Sequence, residues 1–215
     1  MSNASDRRGL LLAMMEPPPA MEEEFQDWYD TEHLPERAGV KGFLTAHRFV
    51  CIDGWPRYLA LYDLHDVQVL HGPDYARVAG AGYSPWTHRV VSRVWGQYRA
   101  EGVQLYPGQA LFGGAGAVSR MLLCRFRQVP TDLSTPIEQG LRQLFEGRKE
   151  TAQVRVYVAN QPDGTDYIGI VELHSPVGDA AIGAASFGPA GHYLDMVNVY
   201  VPYTRRIAGA FPKTT

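Results

Sequence analysis

The sequence predicts an α+β fold made of two successive βαββαβ units, and three observations carry that expectation. The first is an internal repetition. The run Tyr58-Leu59-Ala60-Leu61-Tyr62-Asp63-Leu64-His65 resembles Tyr167-Ile168-Gly169-Ile170-Val171-Glu172-Leu173-His174, at a spacing of 109 residues (167 − 58) throughout. The second is that an Asp-Gly pair, a hairpin turn signal, precedes each run: Asp53-Gly54 and Asp163-Gly164. The third is that each half opens on a similar apolar run. Arg8-Gly9-Leu10-Leu11-Leu12 leads to Glu16-Pro17-Pro18, and Arg120-Met121-Leu122-Leu123-Cys124 leads to Gln128-Val129-Pro130. Several segments repeated in one order indicate a duplicated supersecondary unit.

Taken in order, the first strand covers Arg8–Glu16. Arg7-Arg8 followed by apolar residues mimics an export signal, but Glu16 and Pro17-Pro18-Pro19 cut the stretch short and no small-residue cleavage site follows. A helix follows over Ala20–His33. Glu22, Glu23 and Glu24 suit its N-terminal dipole, and Phe25, Trp28 and Tyr29 recur at i, i+3, i+4 as its apolar face. Leu34-Pro35 is expected to end it, because a residue before proline is pushed out of helical geometry. Strands two and three cover Phe43–Ile52 and Pro56–His65. A looser helical region, Asp66–Ala79, is interrupted by Gly72-Pro73, and strand four covers Val90–Ala100.

The second half follows the same plan in degenerate form. Its first helix, Ile137–Gly147, lacks the aromatic face, and its second helical region, Val177–Ala190, is rich in glycine and alanine. The last strand is Met196–Tyr203. The expected division is residues 1–107, a glycine-rich linker at 108–117, and residues 118–215. The βαββαβ order is the ferredoxin-like arrangement. Pro202 removes a ladder donor and is expected on an edge strand. A four-stranded sheet with helices on one face leaves the other face bare, so the two bare faces are expected to pack on each other within the chain.

Composition sets the outer bounds. Of 215 residues, 45% are hydrophobic and 20% charged, which excludes general disorder. A net charge of −3 argues against gripping nucleic acid by bulk positive charge. The apolar stretch Gly9–Met15 falls far short of the ~20 residues needed to span a bilayer. Two cysteines, Cys51 and Cys124, cannot form a disulfide framework and are expected as buried free thiols in a reducing cytoplasm. No P-loop, dinucleotide fingerprint, nucleophile elbow or zinc spacing is present, so no cofactor is expected.

The densest chemistry lies in Trp28-Tyr29-Asp30-Thr31-Glu32-His33-Leu34-Pro35-Glu36, running on to Gly42-Phe43. Imidazole titrates near neutrality, so His33 can act as acid or base, with its cation favoured at a helix C-terminus. Asp30 lies one turn earlier and could orient it. The alternative is that His33 caps the helix and packs with Leu34. Asp27, Asp30 and His33, at i, i+3, i+6, read as a solvated acidic face, because helical metal pairs use i, i+4 histidines. His47 shares a strand face with Phe43, Thr45 and Phe49, and Tyr62 shares one with Tyr58 and Ala60. One of these aromatic sets should line a cavity between helix and sheet, unless His47 and Tyr62 form a polar pair in the core. Trp86 and Arg89 sit in a loop before strand four and could close over a carboxylate or phenolate, or simply pack on the surface. His65 and His174, matched in both halves, read as strand-end residues.

The aromatic-acid-x-x-His-x-Pro segment, Trp28 to Pro35, with the Gly42-Phe43 lead-in to strand two, resembles the EthD-like members of the dimeric α/β-barrel superfamily. The resemblance implies that the two units close an α/β barrel within one chain. It also implies that His33 lines a pocket between helix one and the sheet, with Trp28, Tyr29 and Tyr62 shaping it. Relatives of this kind include metal-free enzymes acting on aromatic, polyketide or lactone compounds, and related folds include cofactor-free monooxygenases and haem-binding enzymes. The leading expectation is an isomerase, cyclase or lyase working by proton transfer at His33 on a small aromatic or polyketide-like compound. A non-catalytic binding or scaffold protein is one alternative, and a cofactor-free monooxygenase or haem-binding relative the other. One pocket per chain is expected, in the first half. A small molecule is the expected partner, with neither nucleic acid nor membrane, and a homodimer through outer surfaces is open.

Overall fold

Eight antiparallel strands close a single ring in the computed structural model, which describes residues 7–177 and 182–203. The strands are β1 (Gly9–Glu16), β2 (His47–Asp53), β3 (Tyr58–Leu64), β4 (Trp95–Tyr106), β5 (Arg120–Phe126), β6 (Thr151–Gln161), β7 (Gly164–Leu173) and β8 (Leu194–Pro202). Their order around the barrel is β1-β3-β2-β8-β5-β7-β6-β4. Read as halves, this is β4-β1-β3-β2 followed by β8-β5-β7-β6, so the two halves share one strand order. They join edge to edge, β2 to β8 and β4 to β6. The helices are α1 (Glu22–Trp28), α2 (Leu34–Ala38), α3 (Pro73–Ala76), α4 (Pro85–Val91) and α5 (Ser134–Phe145). No helix among the described residues is long and apolar enough to cross a membrane.

Burial on two faces explains the strand sequences. β1 and β3 are covered by the barrel core on one side and by helices on the other, so they read as nearly continuous apolar runs instead of alternating ones. Successive residues still divide between the faces. Leu10, Leu12, Leu59 and Leu61 point into the barrel with Phe49, Met121, Leu123, Tyr157, Ile168 and Ile170. Leu11, Tyr58, Ala60 and Tyr62 point outward to Phe25, Trp28 and Tyr29 of the helical layer. A third cluster, including Cys124, Phe126, Ile137, Leu141, Phe145 and Phe187, forms the outer layer of the second half. The two bare sheet faces do meet, as the two walls of one barrel interior. Cys124 is fully buried, and Cys51 only partly.

The barrel interior is not wholly apolar. Arg155, fully buried, lies 2.6 Å from Asp63 and 2.7 Å from Glu172, which are fully buried too. Asp63 also accepts from the Thr45 hydroxyl (2.8 Å) and the Phe112 N–H (2.7 Å), and Glu172 accepts from the Gly113 N–H (3.0 Å). The ion cluster therefore ties both halves and the connecting segment together. That segment is more than a spacer, because Phe112 and Val118 enter the barrel core.

Several expected boundaries are corrected. The first helical stretch does not end at Pro35. It passes through a π turn at Tyr29–His33 into α2 and stops at Gly39, whose N–H bonds the Pro35 carbonyl. A wide turn just before proline places it in the first turn of α2, where its missing N–H is tolerated. Strand two begins at His47, since residues 44–46 are held as loop by Leu44 and Thr45 N–H bonds to the Asp63 carbonyl. Residues 85–91, expected as loop and strand, are helix: the Ser84 hydroxyl accepts from the Thr87 N–H and Pro85 opens the first turn. Pro202 is not on an edge. β8 is paired on both sides, and Pro202 is tolerated as its last residue. The expected helical region of residues 177–190 is in part outside the described residues. What is described, Ala184–Tyr193, is 3₁₀ in character, with a kink at Gly188 (φ 51°).

Candidate functional site

The aromatic face of α1 seats the first helical stretch on the sheet. Trp28 is fully buried and its indole N–H donates to the Thr87 hydroxyl (3.0 Å), locking α1 to α4. The π turn then rotates His33 inward. Its ring centroid lies 4.2 Å from Trp28 and 5.2 Å from Tyr29. His33 is buried and its Nδ1 has no hydrogen-bond partner. Burial first, then the nearby Arg37 and Arg48 guanidinium groups, push its pKa down to about 3. The expected cationic form at a helix C-terminus is thus overturned: the helix continues past His33, and its surroundings favour neutral imidazole at pH 7.

Asp30 does not orient His33. It pairs with Arg48 at 2.5 Å, while Gln26 accepts from the other Arg48 amine. Arg48 lies over the Tyr29 ring at 4.4 Å and the Tyr203 ring at 4.9 Å. The pair therefore fixes the π turn to β2 and acts on His33 only through the arginine's charge.

Beside His33 is a small, partly open cavity of about 80 Å³, bordered by Arg37, Tyr62, Tyr75, Tyr83 and Arg99 as well as by β1. The Tyr29 and Tyr62 hydroxyls approach each other, but neither completes a hydrogen bond. Burial pushes Tyr29 up to about 12 and Tyr62 well above the usual phenol range. Both therefore stay protonated and can donate. The site as a whole combines a neutral proton acceptor, a neutral donor and guanidinium charge around a small space. Such a set can take a proton from an acidic C–H or O–H and hold the anion that results.

The other expected site residues fall elsewhere. His47 and Tyr62 lie on opposite faces of the sheet. His47 points into the barrel, its ring 4.5 Å from Phe112, with its pKa lowered by burial, raised by Asp63 and lowered by Arg155. Trp86 packs half-buried on the outer layer, on α4, and does not border the cavity. Arg89 is exposed and pairs with Glu24 at 3.0 Å. Trp28 and Tyr29 support the site from behind without lining the cavity. Arg37, Tyr75, Tyr83 and Arg99 were not anticipated. Arg37 stands four residues after His33, one turn on, a spacing that becomes meaningful only once the helix is known to continue through Pro35.

A larger groove of about 300 Å³ lies on the second half, against Phe145, Leu122, Leu173 and Val199, so hollows occur in both halves. Its walls are apolar except for Asp53 and Arg120, and no histidine or tyrosine borders it. The chemistry-bearing groups gather at the smaller cavity.

No family model matches the chain, and no curated protein matches it. Solved structures do. An anthrone oxidase-like protein superposes with a TM-score of 0.65 at 11% identity, covering 95% of this chain and 94% of its own. A putative monooxygenase from Lactobacillus acidophilus NCFM superposes with a TM-score of 0.52 at 8% identity, covering 91% and 94%. These likenesses establish the fold, that of the dimeric α/β barrels, here closed by one chain.

Proposed function

We propose that the chain is a cofactor-free enzyme that removes a proton from a small aromatic or enolisable compound bound beside His33. The observation that carries this reading is a buried imidazole, neutral at pH 7, with an unpartnered Nδ1, on a residue that borders a small, partly open cavity. In this role His33 accepts the proton once a bound anion offsets the Arg37 and Arg48 charges that hold its basicity down, Tyr62 donates a hydrogen bond, and Arg37 stabilises the anion formed. Asp30 and Arg48 position the helix. The resemblance of the Trp28–Pro35 segment to EthD-like proteins, and of residues 1–107 to 118–215, supports one such site per chain, in the first of two related units.

The anion can rearrange, as an isomerase, cyclase or lyase requires, or react with oxygen. The names of the two superposing structures favour the oxygen-dependent route, with R₂CH₂ + O₂ giving R₂C=O + H₂O. The haem alternative does not fit: a cavity of about 80 Å³ beside His33 is far smaller than a porphyrin. Even one aromatic ring, which a ~150 Å³ cavity accepts, requires bordering side chains, Tyr75 and Tyr83 among them, to shift. The small cavity also supports a second reading, a non-catalytic binding protein. Oxygen uptake with an anthrone separates the two. Turnover by the native protein, reduced ~10²–10⁴-fold in His33→Gln, supports catalysis. Equal rates in both proteins exclude His33 as the base, and no uptake by the native protein removes the oxidase route.

A further inference from the structure

The cavity also carries information about the charge of its guest. Arg37 is 2% exposed, and its guanidinium donates to the Val78 carbonyl and stacks against the Tyr75 and Tyr83 rings at 5.2 and 5.8 Å. No carboxylate lies within ion-pair distance of it among the described residues. Glu36 senses its charge through space without reaching it. The other fully buried arginines are not left in this state: Arg48 pairs with Asp30, and Arg155 with Asp63 and Glu172. Burying an unpaired charge costs several kcal/mol, so such charges are ordinarily matched. The residues bordering the cavity include Arg37 and Arg99 but no aspartate or glutamate. Arg99 is already engaged, with Glu101 and with the Tyr75 hydroxyl (3.1 Å). The walls next to Arg37 are tyrosine rings, and the buried His33 Nδ1 and Tyr62 hydroxyl, on two of the bordering residues, have no hydrogen-bond partner.

We infer that the cavity selects an aromatic oxyanion, a ring bearing a carboxylate or an acidic phenol, whose negative charge pairs with Arg37. This rests on the reading of the cavity as the substrate site and narrows it: the ring lies among the tyrosines, the oxyanion meets the guanidinium fork, and the reacting proton faces His33.

Calorimetric titration with benzoate and its neutral isostere benzamide tests the inference without requiring turnover. Benzoate binds at least about tenfold more tightly than benzamide, the scale of one charge-assisted bidentate contact. Arg37→Gln abolishes that preference, while Arg89→Gln, on an exposed arginine, retains it. Should Arg37→Gln fail to fold, Arg37→Lys keeps the charge without the fork and binds benzoate more weakly while still preferring it to benzamide. His33→Gln leaves Arg37 in place and keeps the preference for benzoate over benzamide even where it loses turnover, so failure of the catalytic reading and failure of this one are distinguishable. Equal affinity for the two probes, a preference that survives Arg37→Gln, or no benzoate binding at millimolar concentration overturns the inference.

Discussion

His33 illustrates how one side chain's surroundings reverse its expected behaviour. In an unfolded chain its imidazole titrates near 6.5, whereas in the fold it does so only at about 3. Between those values the unfolded state binds the extra proton, so stability falls as pH drops from about 6.5 towards 3, by at most about 1.4 kcal/mol per pH unit from this group. Urea midpoints of the native protein and His33→Gln should converge as acidity rises across that window. Parallel curves would show that His33 is not the group responsible. The residue stood out in the sequence as a candidate, because a histidine follows an acid-rich aromatic helical stretch. Its partners did not. Asp30, one turn before His33, was the natural choice of orienting group, but Arg48 arrives from β2 and takes it. Side chains brought from another strand are invisible to spacing arguments.

Among the elements, the strands were the easier to read, since Asp-Gly turns and apolar runs mark them directly. The helices were harder wherever tertiary packing overrides a local stop signal, as at Pro35. The reverse case is α4, whose Ser84-Pro85 start was present in the sequence but masked by the surrounding loop-like residues. Helix α5 offers a measurable contest between local preference and packing. Gly140 to Ala gains about 1 kcal/mol of helix propensity. An added Cβ there would lie 2.6 Å from both the Ser186 carbonyl oxygen and the Phe187 ring. The collision should prevail, because the neighbouring backbone cannot yield as a flexible side chain does. Gly140→Ala is therefore expected to lower stability by about 1–3 kcal/mol in thermal melts, where an exposed helical site would show a gain.

For the molecule as a whole, stability depends on contacts between the halves. Arg155→Met leaves Asp63 and Glu172 buried without a counter-charge and should cost about 3–5 kcal/mol in chemical denaturation. Adding Asp63→Asn and Glu172→Gln should restore part of it. Residues 1–117 and 118–215, produced separately, each expose half a barrel interior and two open sheet edges, and are expected to aggregate alone. Mixed, they should form a 1:1 complex, detectable by size-exclusion chromatography. Independent, soluble, folded halves would contradict that dependence. The repetition in the sequence led to the expectation of bare sheet faces meeting within the chain, and the strands do close one barrel around a shared interior. The expectation of a closed ring came from the resemblance to the α/β barrels and not from the repetition, because edge pairing between distant strands leaves no local mark.

The ion cluster shows what single-chain closure permits. His47 sits opposite Leu61 in β3, and Arg155 sits opposite Ile170 in β7, which places the two at matching stations of the halves. Were the ring built from two identical polypeptides, any change at that station would appear on both sides of the axis, and two guanidinium groups would confront each other across the lumen. A continuous polypeptide is free of that mirror obligation. It can put a permanent cation on one side and a weak base on the other, and each flank can change under its own constraints.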